Sequence, residues 1–142
     1  MGNGDAYAQI GYFYTLGEGV EKNDSLAFEN YKKAADLKSA NGALNLGVQY
    51  ILGSVTAKDL KEAEKWHIKA VEYGSAEAAW RLYTIYTNGD LFPKDEVKAE
   101  EFLQKALKAK HPEACCLMGY RYYLGKSVEK DNQQAFIYYK LA

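Results

Sequence analysis

Three sets of residues in this 142-residue chain have types and spacings that could do chemistry. Ser127-Val128-Glu129-Lys130 keeps the S-x-x-K spacing, in which a serine opening a helix is faced one turn later by a lysine, the arrangement of an acyl-transfer nucleophile. His67 and His111 are the only histidines, and Cys115 and Cys116 the only cysteines, so metal ligation and thiol chemistry are the next candidates. Asn23-Asp24-Ser25 has the form of a glycosylation sequon. Each of these depends on the elements that position it, and those elements are set by a repeat.

Gly17, Gly53, Gly89 and Gly125 recur every 36 residues, as do Tyr14, Tyr50, Tyr86 and Tyr122 three residues before them. Ala27, Ala63, Ala99 and Ala135 form a third column, and Ala34, Ala70, Ala106 and Ala142 a fourth. A fixed period of this length marks a stacked array of units, each too small to bury its apolar face alone. The expectation is one repeat domain over residues 1–142, with units at 5–40, 41–76, 77–112 and a truncated 113–142. Each unit reads as two helices joined by a glycine-bearing loop, at 5–16 and 24–37, 41–52 and 59–73, 77–88 and 95–109, and 113–124 and 131–142. In the first helix Ala6, Ile10 and Tyr14 form an apolar stripe, and in the second Ala27, Tyr31, Ala34 and Ala35 face inward.

Asn23, Asp59, Asp95 and Asp131 share a column and predict caps for the second helix of each unit, with Glu62 and Gln134 placed to complete capping boxes. The sequon is thus more simply a cap. Gly11, Gly47 and Gly119 predict close helix contacts, and Tyr83 breaks that column, predicting a widened contact or a rotated helix in the third unit. The tyrosine column is expected in the core.

Lysine plus arginine at 18 nearly balances aspartate plus glutamate at 19, so the formal charge of −1 provides no field for nucleic acid. The longest apolar runs are too short for membrane insertion. The N-terminus has no charged-then-apolar leader, and Ala6 stands where a myristoylation signal wants Ser or Thr; Met1 reads as added to a fragment. Adjacent cysteines on a helix point about 100° apart and cannot bridge two elements. Free thiols point to a reducing compartment, the cytoplasm, with the periplasm or the outside open if a leader was removed.

Tyr7-Ala8-Gln9-Ile10-Gly11-Tyr12-Phe13-Tyr14, then Gly17-Glu18-Gly19-Val20 and Ala27-x-x-x-Tyr31-x-x-Ala34-Ala35, resemble the Sel-1-like repeat, a relative of the tetratricopeptide repeat. Leu46-Gly47-x-x-Tyr50-x-x-Gly53 and Met118-Gly119-x-x-Tyr122-x-x-Gly125 repeat the pattern, while Val55, Leu91 and Ser127 depart from the loop glycine at Gly19. The resemblance implies an all-α, right-handed α-solenoid of helix-turn-helix repeats. It also implies a concave surface lined by the first helices, for which Ala8, Leu44, Trp80 and Cys116 are expected to contribute.

Some cysteine-rich relatives have been linked to penicillin binding, which gives the S-x-x-K stretch added interest. It aligns with the interhelix loop Gly19-Val20-Glu21-Lys22, no S-D-N or K-T-G follows, and the cysteine pairs of those relatives are absent. No catalytic residue is assigned. His67 shares a column with Tyr31, Leu103 and Tyr139 and reads as a packed helix residue, His111 beside Pro112 as a surface turn, and the cysteines as small packing residues. No metal and no cofactor is called for.

Where the framework columns hold one residue type, other columns of the first helices vary. One reads Gln9, Asn45, Arg81, Leu117, the next Tyr12, Val48, Thr84, Tyr120, and a third Thr15, Ile51, Thr87, Tyr123. The expected partner-binding residues are Gln9, Tyr12, Thr15, Asn45, Val48, Trp80, Arg81, Thr84, Tyr120 and Tyr123. Trp80 is either an exposed anchor or a filler between repeats. The expected function is a non-catalytic scaffold or adaptor binding a protein or peptide. The alternatives are an inhibitor or immunity-type protein that neutralises one secreted enzyme and, more remotely, a penicillin-recognising enzyme. Uncapped repeat ends leave self-association open.

Overall fold

Small residues decide where the helices of this chain touch. A computed structural model describes residues 2–142, and all regular structure among them is helical. The helices are α1 (Asn3–Leu16), α2 (Asp24–Asp36), α3 (Ala40–Leu52), α4 (Leu60–Glu72), α5 (Ala76–Asn88), α6 (Glu96–Lys108), α7 (Pro112–Leu124) and α8 (Asn132–Leu141). They pair in order as helix A and helix B of four repeats. The chain divides into two compact units, Met1–Ala78 and Ala79–Ala142, treated in turn.

In the first unit, Ala27, Tyr31, Ala35, Ala43, Leu44, Leu46, Ala70 and Ala78 form one core, with Tyr14, Phe28, Tyr50 and Trp66 packed on it. Phe28 meets Tyr50 edge-on, with ring centroids 5.6 Å apart. α1 turns inward a different face from the expected Ala6, Ile10 and Tyr14 stripe. Gly4, Ala8 and Gly11 are buried, Ala6 and Ile10 are exposed, and Tyr14 is half-buried. The cause is proximity: a Cβ on Gly11 would lie 2.8 Å from the Tyr31 ring. α1 is seated by its smallest residues, so its most apolar face is not its inner one.

All four predicted caps form. Asn23 accepts from the Leu26 N–H, Asp59 from Lys61 and Glu62, Asp95 from Lys98, and Asp131 from Gln133 and Gln134. The capping boxes take another form, because the backbone N–H groups of Asn23, Asp59, Asp95 and Asp131 donate to the carbonyls of Tyr14, Tyr50, Tyr86 and Tyr122. With that donor occupied, Glu62 instead accepts from Lys65 and from the Trp66 indole. The tyrosine column therefore holds the start of each helix B through its main chain as well as through its rings.

The junction after each of the first three B helices is a Schellman motif. Ser39, Ser75 and His111 donate their N–H groups to the carbonyls of Ala34, Ala70 and Ala106, and Lys38, Gly74 and Lys110 occupy the left-handed position. Ser39 and Ser75 then cap the next helix A by accepting from Gly42 and Ala78. His111 makes no such bond; Pro112, which has no N–H, opens α7 instead.

The second unit is more aromatic. Tyr86 is buried and stacks on Phe102 at 5.9 Å with Phe92 at 5.7 Å, and Tyr122 stacks on Tyr138 at 5.6 Å. Tyr86 is the only member of its column that is fully core; Tyr14, Tyr50 and Tyr122 are half-buried. Tyr83, which breaks the helix A glycine column, is answered on α6 by Leu103, a buried residue standing where other repeats place Tyr31, His67 or Tyr139. A Cβ on Gly119 would lie 2.9 Å from the Tyr139 ring, and a Cβ on Gly47 would overlap the His67 imidazole. Glycine on helix A goes with a ring on helix B, and a side chain on helix A goes with leucine.

Candidate functional site

On α1, Asp5, Ala8, Gln9 and Tyr12 fall at spacings that put them on one face, and on α3 Asn41 and Asn45 do the same. Those two faces enclose an open groove of about 340 Å³ lined by these six residues. Ala8 is buried, Gln9, Tyr12 and Asn41 are exposed, and Asn45 is half-buried. Three of the sequence-designated residues, Gln9, Tyr12 and Asn45, thus meet in one place. The Asp5 carboxylate accepts from the Ser39 hydroxyl at 2.7 Å, which ties the groove wall to the cap of α3. Three carboxamides, each carrying donors and an acceptor, beside a phenol and a carboxylate can pair with successive amides of an extended chain. Asp5 and Asn41 escaped the sequence reading because their neighbourhood exists only once α1 and α3 lie side by side.

Thr15 does something else. Its hydroxyl donates to the Gly11 carbonyl at 3.0 Å, and its oxygen lies 3.0 Å from the Tyr31 phenol, so it serves the helix contact. Burial raises the Tyr31 pKa, the Thr15 bond lowers it and nearby Tyr12 raises it, with the net effect upward. Val48 is half-buried on α3. Ala8 and Leu44, expected on the concave surface, are both buried, whereas Cys116 of the same column is exposed.

In the second unit, Arg81, Tyr120 and Tyr123 are exposed, while Trp80 and Thr84 are half-buried. The Thr84 hydroxyl donates back to the Arg81 carbonyl at 2.8 Å. Trp80 stacks on His111 at 5.7 Å and lies 5.1 Å from the Tyr83 ring. His111, expected on a surface turn, is buried under that indole. The correction has a local cause: as the residue before α7 it occupies the column of the buried Ser39 and cannot swing outward.

The chemistry-bearing residues are placed as follows. Ser127 lies in the loop after α7 with φ 61°, exposed, and the Lys130 ammonium sits 5.9 Å over the Tyr123 ring. The serine does not open a helix, so the S-x-x-K geometry is absent. His67 is buried on α4 with Nδ1 2.7 Å from the Ala63 carbonyl. Among the described residues no group of three or more His, Cys, Asp or Glu comes together, and no helix is long and apolar enough to cross a membrane.

Glu100 on α6 is drawn upward in pKa by partial burial, but hydrogen bonds from Gln104 and Arg121, with the Arg121 charge, together hold it below the ordinary carboxylate value. Arg121 Nη1 stands 3.0 Å from Glu100 Oε2, tying α7 to α6 beside the hollow that Ser127 borders.

The cysteines separate. Cys115 is buried and Cys116 exposed, so only the first is a packing residue. Burial and the neighbouring Cys116 push the Cys115 thiol up, with Lys110 opposing. Since the thiolate is the nucleophile, a thiol reagent is expected to titrate one group quickly in the native protein and the second only on unfolding. Cys116→Ser removes the fast phase, and Cys115→Ser leaves it.

A sequence model of the Sel1 repeat matches residues 4–39, 40–75, 76–111 and 112–142, one residue earlier at each boundary than the periodicity suggests. Among solved structures, the chain is similar to a Sel1 repeat protein from Oxalobacter formigenes, at 34% identity and a TM-score of 0.79, covering 98% of this chain and 57% of that one. It is also similar to c5321, a protective antigen present in uropathogenic Escherichia coli strains and displaying an SLR fold, at 31% identity and a TM-score of 0.76 over 97% of this chain and 30% of that one. A third, Helicobacter pylori cysteine rich protein B, matches at 25% identity and a TM-score of 0.64, covering 78% of this chain and 88% of that one. The chain therefore spans well under two thirds of the length of the first two. Comparison with curated proteins returned no match.

Proposed function

The chain belongs to the Sel1 repeat family, and on that premise we propose that it is a non-catalytic module holding a protein partner through an extended peptide segment laid along its A helices. Repeats of this family generally serve protein–protein interaction. The observation that carries the reading is the α1–α3 groove, where variable polar residues gather while the framework columns around them are spent on helix contacts. Gln9, Asn41 and Asn45 would pair with peptide amides, Tyr12 would cover an apolar side chain, and Asp5 would favour a basic residue. In the second unit, Arg81, Tyr120 and Tyr123 are the exposed positions assigned to further contacts.

The test is a display selection of short peptides on the wild-type chain, followed by titration of Tyr12→Ala with Asn45→Ala. Truncating a central aromatic and a hydrogen-bonding partner is expected to weaken binding by about 2–4 kcal/mol, roughly 30-fold to 1000-fold, at unchanged helicity. Equal affinity in wild type and variant would end this assignment. An inhibitor of one secreted enzyme would use the same surfaces for a single tight partner, and no feature of the groove favours that reading over the peptide one.

A further inference from the structure

The α1–α3 groove is ordered along its length. Asp5 lies toward one end and Tyr12 toward the other, while Gln9 of α1 and Asn45 of α3, which share a column of the repeat, line the two walls between them. Asp5 is the one charged side chain among the six lining residues, so the groove is locally negative and favours a cation. The Ser39 hydroxyl donates to Asp5 Oδ1 at 2.7 Å, which fixes the carboxylate by one oxygen and leaves the second to accept from a ligand. Ala8, 5% exposed, floors the groove with a single methyl and lets a main chain approach closely.

The distance between the two end groups decides the shape of what lies between them. Asp5 and Tyr12 are seven residues apart on one face of α1, about 10.5 Å along its axis at the usual helical rise. Two ligand side chains that reach both must leave the same side of their own main chain. In a β-strand same-side residues recur roughly every 6.6 Å, so the available spans of about 6.6 and 13 Å miss by roughly 3 to 4 Å. In a polyproline II helix they recur every three residues, about 9.3 Å, a difference that the long side chain of lysine or arginine takes up. That conformation has no internal hydrogen bonds, so its main-chain groups are free to pair with the carboxamides of Gln9, Asn41 and Asn45.

We propose that the groove takes a polyproline II segment in which a lysine or arginine and an apolar residue stand three positions apart, the cation on Asp5 and the apolar side chain on Tyr12. This rests on the peptide reading above and adds to it a conformation, a charge and a register. The cation meets a carboxylate already held in place by Ser39, and the apolar side chain meets a phenol ring that is 45% exposed.

Random peptides selected on the full chain are expected to share a lysine or arginine three positions from an aromatic or aliphatic residue, in either chain direction. A synthetic peptide of that pattern is then titrated beside versions with one residue inserted or deleted between the two anchors, each expected to bind about tenfold more weakly, the loss of one charge-assisted hydrogen bond. Asp5→Asn, which keeps an oxygen for Ser39, should weaken the parent peptide about tenfold and leave unchanged a peptide with methionine in place of the cation. A selection that yields no peptide, or peptides bound equally by wild type and by Tyr12→Ala with Asn45→Ala, would remove the peptide reading and this register with it. Peptides that depend on Tyr12 and Asn45 but carry no cation, place it two or four positions away, or bind Asp5→Asn as tightly as wild type would overturn the register alone.

Discussion

Gly47→Tyr is expected to lower the stability of the chain by about 3 kcal/mol, the upper end of the usual range for overpacking a core. The opposing gain from removing a glycine from a helix interior is only about 0.5 kcal/mol, so packing decides the sign. Even the first atom of the new side chain would overlap the His67 ring, which is buried and bonded to the Ala63 carbonyl. The third repeat already contains the answer to that overlap, since Tyr83 there faces a column filled by Leu103. His67→Leu in the Gly47→Tyr background is therefore expected to recover most of the loss. A coupling of 1–3 kcal/mol should appear in a double-mutant cycle read by urea unfolding, as it does for residues in direct contact. A double variant no more stable than Gly47→Tyr alone would show that the glycine answers to something other than the ring.

The second large effect is expected at Tyr86. Truncation to alanine should cost about 3–5 kcal/mol, the range for a fully buried aromatic. Tyr86 is 2% exposed, with Phe92 and Phe102 against its ring. The same truncation at Tyr14 should cost well under half as much, because that ring is half-buried and the matching columns hold Val20, which is exposed, and Asn30. Both variants lose the same number of atoms from the same repeat position, so the difference in urea midpoint measures the aromatic surroundings alone. Equal losses would mean that the Phe92 and Phe102 rings add nothing to Tyr86 beyond what half-buried Tyr14 already finds.

Much of this fold is legible along the chain because its determinants are local. Gly17 ends α1 in the left-handed region and Asp59 opens α4, and each acts on a backbone within a few residues. The Ser39 and Ser75 caps are local in the same way and share a column that His111 breaks. What stayed illegible was orientation. Ala6, Ile10 and Tyr14 look like the inner stripe of α1 by hydrophobicity, yet Gly4, Ala8 and Gly11 face inward, since contact distance is set by the smallest side chain and not the most apolar one.

The candidate site divides along the same line. Gln9, Tyr12 and Asn45 could be picked out because their columns vary while their neighbours do not, but Asp5 and Asn41 join them only across two helices. Thr15 sits in an equally variable column and is claimed by Tyr31, and Trp80 is drawn over His111. By itself the sequence determined the all-helical repeat, its period and the caps and stops of its helices, because hydrogen bonding within a turn and small residues at fixed spacing act at short range. Only tertiary structure decided which face of each helix is covered, which polar residues converge and which aromatics stay bare, because burial depends on what a neighbouring helix brings to the contact.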